Sequence, residues 1–208
     1  MEVTIDVSTV VSAICVAITT ILGAWFTYNQ KTKDLRTEQK INKIEEDRAK
    51  QIYSMNRHSA IIYGELWKLL YEFDADRVYV LQPHPENKYS FLSVVFEVTK
   101  NGVFPMKDIF KSFPMSDFPS FSKELATKPH IFYDYNKGLI PDDKKALITM
   151  KTSGSVQTAI FQLNNINNDW VGNLFVERTA EREYDIDKVK EFGDRIVQSI
   201  QYILLPIN

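Results

Sequence analysis

Three hydrophobic patterns follow one another along the chain. From Val7 to Gln30 no residue is charged, although Ser8, Thr9, Ser12, Thr19, Thr20 and Thr27 interrupt the apolar run. A spanning helix needs about 20 mostly apolar residues, and 7–28 supplies that length. Trp25 and Tyr28 sit at its end and Lys31 and Lys33 follow at once, as interfacial anchors do. The start "MEVTID" has no basic residue, unlike a cleaved signal. On a helix Ser8, Ser12, Cys15, Thr19, Gly23 and Thr27 share one face, where small and hydroxyl residues let spanning helices meet. These expectations divide the beginning of the chain into a short tail (1–6) and a transmembrane helix (7–28).

The second pattern, 29–56, is dense in charges of both signs, with a sparse apolar stripe at Leu35, Ile41, Ile44, Ile52 and Met55. It reads as a solvated helical stalk, either a lone helix or one that self-associates through a poor heptad seam.

The third, 57–208, alternates between helical and strand periods. Ile61, Ile62, Leu66, Leu69 and Leu70 recur at helical spacing. Val78, Val80 and Gln82 alternate with Tyr79 and Leu81 as in a strand, which Pro83 and Pro85 are expected to end. Further strands are expected at 89–98, 130–135, 155–163 and 170–178, with a turn at Asn101-Gly102 and a hairpin loop at "NNINND". Three prolines break up 103–128, leaving room for a helix from Phe118 to Thr127. Pro141 suits the first turn of a helix running to Met150. Ile186, Val189, Phe192, Ile196, Val197, Ile200 and Leu204 give a closing amphipathic helix, capped by Asp185 or Asp187 and ended by Pro206. The expected class is α+β, with both terminal helices on one face of an antiparallel sheet.

Composition narrows the chemistry. A net charge of -2 gives no basic footprint for nucleic acid. Cys15 is the single cysteine, so no disulfide within the chain and no cysteine metal site is expected. His58, His84 and His130 lie far apart and beside no acid pair with ligand spacing. "TSGSV" (152–156) lacks the Gly-x-Ser-x-Gly of a nucleophile elbow, and no P-loop occurs. No catalytic, cofactor or metal residue is therefore nominated. The aromatics Phe91, Phe96, Phe132, Tyr133, Phe161, Trp170 and Phe175 read as core or as the lining of a ligand pocket.

Two resemblances follow. The helix before "ADRVYVLQP", the late strand pair with "WVGNLFVE" and the closing helix resemble a GAF-type sensor domain over roughly 57–205. Cyclic-nucleotide-binding members of that family carry an Asn-Lys…Phe…Asp-Glu motif; Asn87-Lys88 is present without the acid pair. The whole chain also resembles the T-even-type phage holins through "DADRVYVLQPHPENKYSFLSVVFEVTKNGVFP", "HIFYDY" and "WVGNLFVERTAEREYDIDKVKEFGDRIVQSI". That resemblance implies a single-pass protein of the host inner membrane. Such a protein oligomerises in lipid through its helix and stalk, opens lesions for lysis, and receives an antiholin-type partner on a periplasmic domain. The alternative is a membrane-anchored, non-enzymatic GAF-like module that binds a ligand or partner in the cytoplasm. The Lys/Arg excess in 31–50 favours that second orientation.

Overall fold

A computed structural model describes residues 53–183 and 185–204, together with 23, 25, 30, 40, 43–46 and 50. The chain divides into two units, Met1–Met55 and Asn56–Asn208. In the first, the described residues are helical and almost all exposed, and Lys50 pairs with Glu46 one turn back at 2.7 Å. Among the described residues no helix is long and apolar enough to cross a membrane. The expected span 7–28 lies, apart from Gly23 and Trp25, outside the described residues.

The second unit begins with helix α1 (56–72). Ile62, Leu66, Leu69 and Leu70 are its buried stripe, while Ile61 of the expected set stays exposed. The strands are β1 (Arg77–Glu86), β2 (Tyr89–Thr99), β3 (Phe113–Pro114), β4 (His130–Asp134), β5 (Gln157–Asn164) and β6 (Trp170–Arg178). They form one antiparallel sheet in the order β3-β2-β1-β6-β5-β4. Helices α2 (Pro119–Thr127), α3 (Lys144–Thr152) and α4 (Ile186–Ile200) complete the unit.

Strand alternation gives the sheet two apolar faces. Val78, Val80, Phe161, Leu174 and Val176 meet α1 and the Val189, Ile196, Val197 and Ile200 side of α4. Tyr79, Leu81, Ile160 and Phe175 point the other way. There Met106, Phe110, Phe118, Phe121, Leu125, Ala146 and Met150 cover them. The terminal helices thus share one face, as the sequence pattern predicts. The opposite face is roofed by α2, α3 and the proline-broken segment between β2 and α2.

Two boundaries differ clearly from the sequence reading. Strand β1 continues through Pro83 and Pro85. Its ladder with β6 ends at Leu81, while its ladder with β2 runs on to Glu86. The prolines therefore turn their donorless nitrogens to a side with no strand to serve. Asn87-Lys88 is the two-residue turn of the β1–β2 hairpin, with Asn87 at φ 57. That turn chemistry accounts for the asparagine. Helix α3 starts at Lys144 rather than Pro141, because the Asp143 carboxylate accepts from the N–H groups of Lys145 and Ala146. Asp143→Ala is expected to cost about 1 kcal/mol in urea unfolding. Asp185 caps α4 by accepting from Lys188 N–H, which resolves the Asp185/Asp187 alternative. Pro206 lies outside the described residues.

Candidate functional site

The roofed face holds the chemistry. Arg77 and Glu177 are direct cross-strand partners on β1 and β6, and both side chains are fully buried. Every guanidinium N–H is used. Nε donates to Glu177, and Nη1 donates to the carbonyls of Phe104 (2.9 Å) and Ser153 (3.0 Å). Nη2 donates to the hydroxyls of Ser153 (2.8 Å) and Ser155 (2.7 Å). Glu177 also accepts from Tyr79 Oη at 2.8 Å and Ser155 Oγ at 3.0 Å.

The two serines are delivered by the end of α3. Ser153 is its C-cap and Gly154 follows at φ 80, a left-handed conformation natural to glycine. Gly154 N–H returns to Lys151 O, and Ser155 N–H to Met150 O, the paired bonds of a Schellman motif. "TSGS" is thus a helix stop that aims two hydroxyls at Arg77. As nucleophiles they are poorly placed: Ser153 donates to Met150 O at 2.7 Å and Ser155 to Glu177.

Burial dominates the protonation of this cluster. It opposes the Arg77 charge, but the Glu177 carboxylate more than offsets that and raises the guanidinium pKa. Burial first, then Glu177, push the Tyr79 phenol far above its ordinary range, so it serves as a donor. Tyr133, which donates to Glu124 at 2.6 Å, is pushed up by burial and then by that bond. Glu97 is raised by burial, against the pull of the Met106 and Lys107 N–H groups that it accepts from.

The roof is tied to the floor elsewhere as well. Asn173, fully buried on β6, donates to Leu125 O at 3.0 Å, and Gln162 donates to Ala126 O at 2.6 Å. Both capture carbonyls that the end of α2 leaves unpaired. Phe113 stacks on Phe118 with centroids 4.4 Å apart, and Phe118 meets Phe121 edge-on at 6.2 Å.

A second polar node holds the start of β1 to the end of β6. Asp76 accepts from Thr179 N–H (2.7 Å), Thr179 Oγ1 (2.8 Å) and Arg182 Nη2 (2.9 Å). Burial works against its charge, but these donors outweigh it and hold the carboxyl below its usual range. A carboxylate depressed by folding stabilises above its unfolded pKa of about 3.9 and loses that contribution as pH falls through the folded value. Acid titration of unfolding should therefore show a loss below about pH 4 that Asp76→Asn reduces.

Among the described residues, clefts mark the surface. One of about 440 Å³ lies where α1 ends and α4 begins, with Phe73, Val189 and Phe192 among charged residues. One of about 320 Å³ follows the β4 edge past His130 and Leu139, and one of about 190 Å³ holds Lys107 and Lys111. None is lined by Arg77, Tyr79, Phe175 or Glu177.

The residues nominated from sequence are scattered. Of the membrane-helix face, Ser8, Ser12, Cys15, Thr19 and Thr27 lie outside the described residues; Gly23 is helical and exposed. Of the anchors, Trp25 is helical and exposed, and Tyr28, Lys31 and Lys33 lie outside them. The three histidines stay apart. His84 lies within β1 and bonds Ser93 Oγ at 2.9 Å, and His130 pairs with Asp194 at 2.5 Å. The seven aromatics do not form one pocket. Phe161, Phe96 and Phe132 belong to the helix-covered face, and Phe175, Tyr133 and Trp170 to the roofed face. Among the described residues no acid, histidine or cysteine group is placed to hold a metal.

No family model and no curated protein matches the chain. Solved structures do. The phycocyanobilin-bound GAF domain of a cyanobacterial phytochrome superposes with a TM-score of 0.54 at 17% identity, over 73% of this chain and 91% of that one. The blue-light-absorbing form of the Thermosynechococcus elongatus PixJ GAF domain gives 0.55 at 14% identity, over 71% and 87%. The photoproduct state of a GAF domain from a Synechocystis protein gives 0.55 at 13%, over 69% and 90%. The domain has a GAF-like fold. At these identities the likeness is one of architecture, and the GAF-like sheet, terminal helices and roof carry it. The holin resemblance gains no support from these comparisons, and the lysis reading drawn from it stands without a finding behind it.

Proposed function

We propose that the chain is a non-enzymatic GAF-like binding module, tethered by its N-terminal segment on the cytoplasmic side, which works by docking partners on its surface. The observation that supports surface docking over ligand capture is the self-filled interior. Arg77, the most strongly hydrogen-bonding cation on the roofed face, spends all its donors on the protein, and phenylalanines pack the remaining space. A ligand lodged there would have to displace a buried ion pair and several aromatic rings together, which is costly.

The neighbours whose names state a bound bilin suggest the probe. The full-length protein mixed with phycocyanobilin should give the absorption of free pigment and an unchanged melting temperature. A red-shifted band with a raised melting temperature would overturn the closed-interior reading. A phosphatase fused to the C-terminus should be inactive in cells if the domain faces the cytoplasm, and high activity would reverse the orientation.

A further inference from the structure

Helix α3 turns a basic line to solvent. Ala146 and Met150 sink into the roofed core, and on the opposite side Lys144, Ile148 and Lys151 follow one another at spacings of four and three. All three are exposed, Ile148 by 56%. Leu139 and Ile140, on the segment that leads into α3, are exposed as well. Lys145 pairs with Asp117 and Lys137 with Asp134, but among the described residues Lys144 and Lys151 pair with no acid. Asp142 is exposed beside them, and Asp143 is taken up in the helix cap. The imbalance extends beyond the helix. Residues 100–152 hold nine lysines, six acids and no arginine. On the other side of the sheet, α4 and the loop before it (181–195) hold six acids and four bases. The domain therefore carries opposite net charge on its two faces.

We propose that α3 is the docking face of this domain for an anionic lipid bilayer, with Lys144 and Lys151 at the headgroups and Ile148 between them at the acyl boundary. The residue types favour lipid over another polyanion. A specific phosphate or carboxylate site calls for the bidentate fork of arginine, and 100–152 has none. A nucleic-acid surface sets aromatic platforms or arginine among its cations, and α3 carries neither. Between its lysines stands an aliphatic side chain, which lipid desolvates and a phosphate backbone does not. The lysine stems are long enough to pass it and keep their charge among headgroups. The charge asymmetry turns the roof toward an anionic plane and α4 away from it. The uncharged stretch Val7–Gln30 has the length of a bilayer span, so a bilayer is the surface beside which the tether proposed above would hold the domain. Three side chains make only a weak contact, which suffices for a domain that is already tethered. Lipid contact is one form of the surface docking proposed above and rests on that reading. It fails separately from the closed interior, since pigment uptake would overturn the latter without touching α3.

The full-length chain carrying Cys15→Ser, reconstituted into vesicles, tests it. An environment-sensitive nitrobenzoxadiazole probe is placed on Thr152→Cys, exposed at the end of α3. In vesicles that contain phosphatidylglycerol its emission should shift to the blue and brighten, and in pure phosphatidylcholine it should not. The same probe on Gln198→Cys, exposed on α4, should report water in both. One lysine near an anionic surface favours contact about fivefold, so Lys144→Glu with Lys151→Glu should weaken it more than about 25-fold and return the Thr152 signal to the phosphatidylcholine level. Ile148→Ser should lower the signal at an unchanged melting temperature, since the side chain is on the surface. Equal signals in the two kinds of vesicle, a response on α4 equal to that on α3, or no effect of either substitution would each overturn the proposal. So would a Thr152 probe that answers to added duplex DNA and not to phosphatidylglycerol, which would make the face a nucleic-acid contact.

Discussion

Arg77→Met should destabilise the globular unit by about 3–5 kcal/mol, read from urea unfolding of the full-length protein. The size comes from what is left behind. Glu177 would remain buried on β6 without its cation, and the Ser153 and Phe104 carbonyls and Ser155 hydroxyl would lose their donor. Arg77→Met combined with Glu177→Gln should recover a large part of the loss. Glutamine has no charge to desolvate and can still accept from Tyr79. The single variant should also acquire a pH dependence of its own. An unpaired buried carboxylate has its folded pKa raised, so its variant should gain stability as pH falls toward that value. A loss below about 1 kcal/mol, or a double variant no better than the single, would show that the pair is solvated or dispensable.

Gly193→Ala should be the other severe change, against its helix propensity. In an exposed helix the replacement gains up to about 1 kcal/mol. Here Gly193 is buried on α4, and a Cβ would lie 2.2 Å from the Phe161 ring. Phe161 is fully buried, with His130 and Phe132 edge-on at 5.7 and 6.2 Å, so the ring cannot swing aside without moving β4 neighbours. Overpacking of this kind costs about 1–3 kcal/mol. Phe161→Leu introduced beside Gly193→Ala should restore part of the stability, since the smaller side chain leaves room for the methyl. Thermal melts of the two single variants and the double separate the terms. An alanine variant as stable as the parent would mean that α4 shifts freely on the sheet.

Much of this architecture was readable from the residues, because period and burial coincide where one face meets a core. The α4 stripe, the β5–β6 strands and the sharing of one sheet face by both terminal helices follow from apolar spacing alone. Local chemistry that overrides period was harder to read. Pro83 and Pro85 looked like a strand end, because their tolerance depends on where the neighbouring strand stops. The central polar cluster left almost no trace. Arg77 and Glu177 stand at strand ends amid charged residues, 100 positions apart, where a charge ordinarily means solvent. "TSGSV" was tested for a nucleophile elbow, but its glycine reports a helix stop. The legible clue was the Ser-Gly-Ser spacing after a predicted helix, which is what a Schellman ending with two inward hydroxyls requires.

The Arg77–Glu177 pairing has one more consequence, which concerns how β1 and β6 find each other. Apolar residues alternate along both strands, so a two-residue slide would still put Val against Leu and keep each face greasy. The slide would, however, part the two charges and leave each alone in a dry interior. Hydrophobic contacts tolerate many alignments of the central strands, and the ion pair tolerates one. Its main contribution is then to the uniqueness of the fold: it makes every misaligned sheet more costly than the native one.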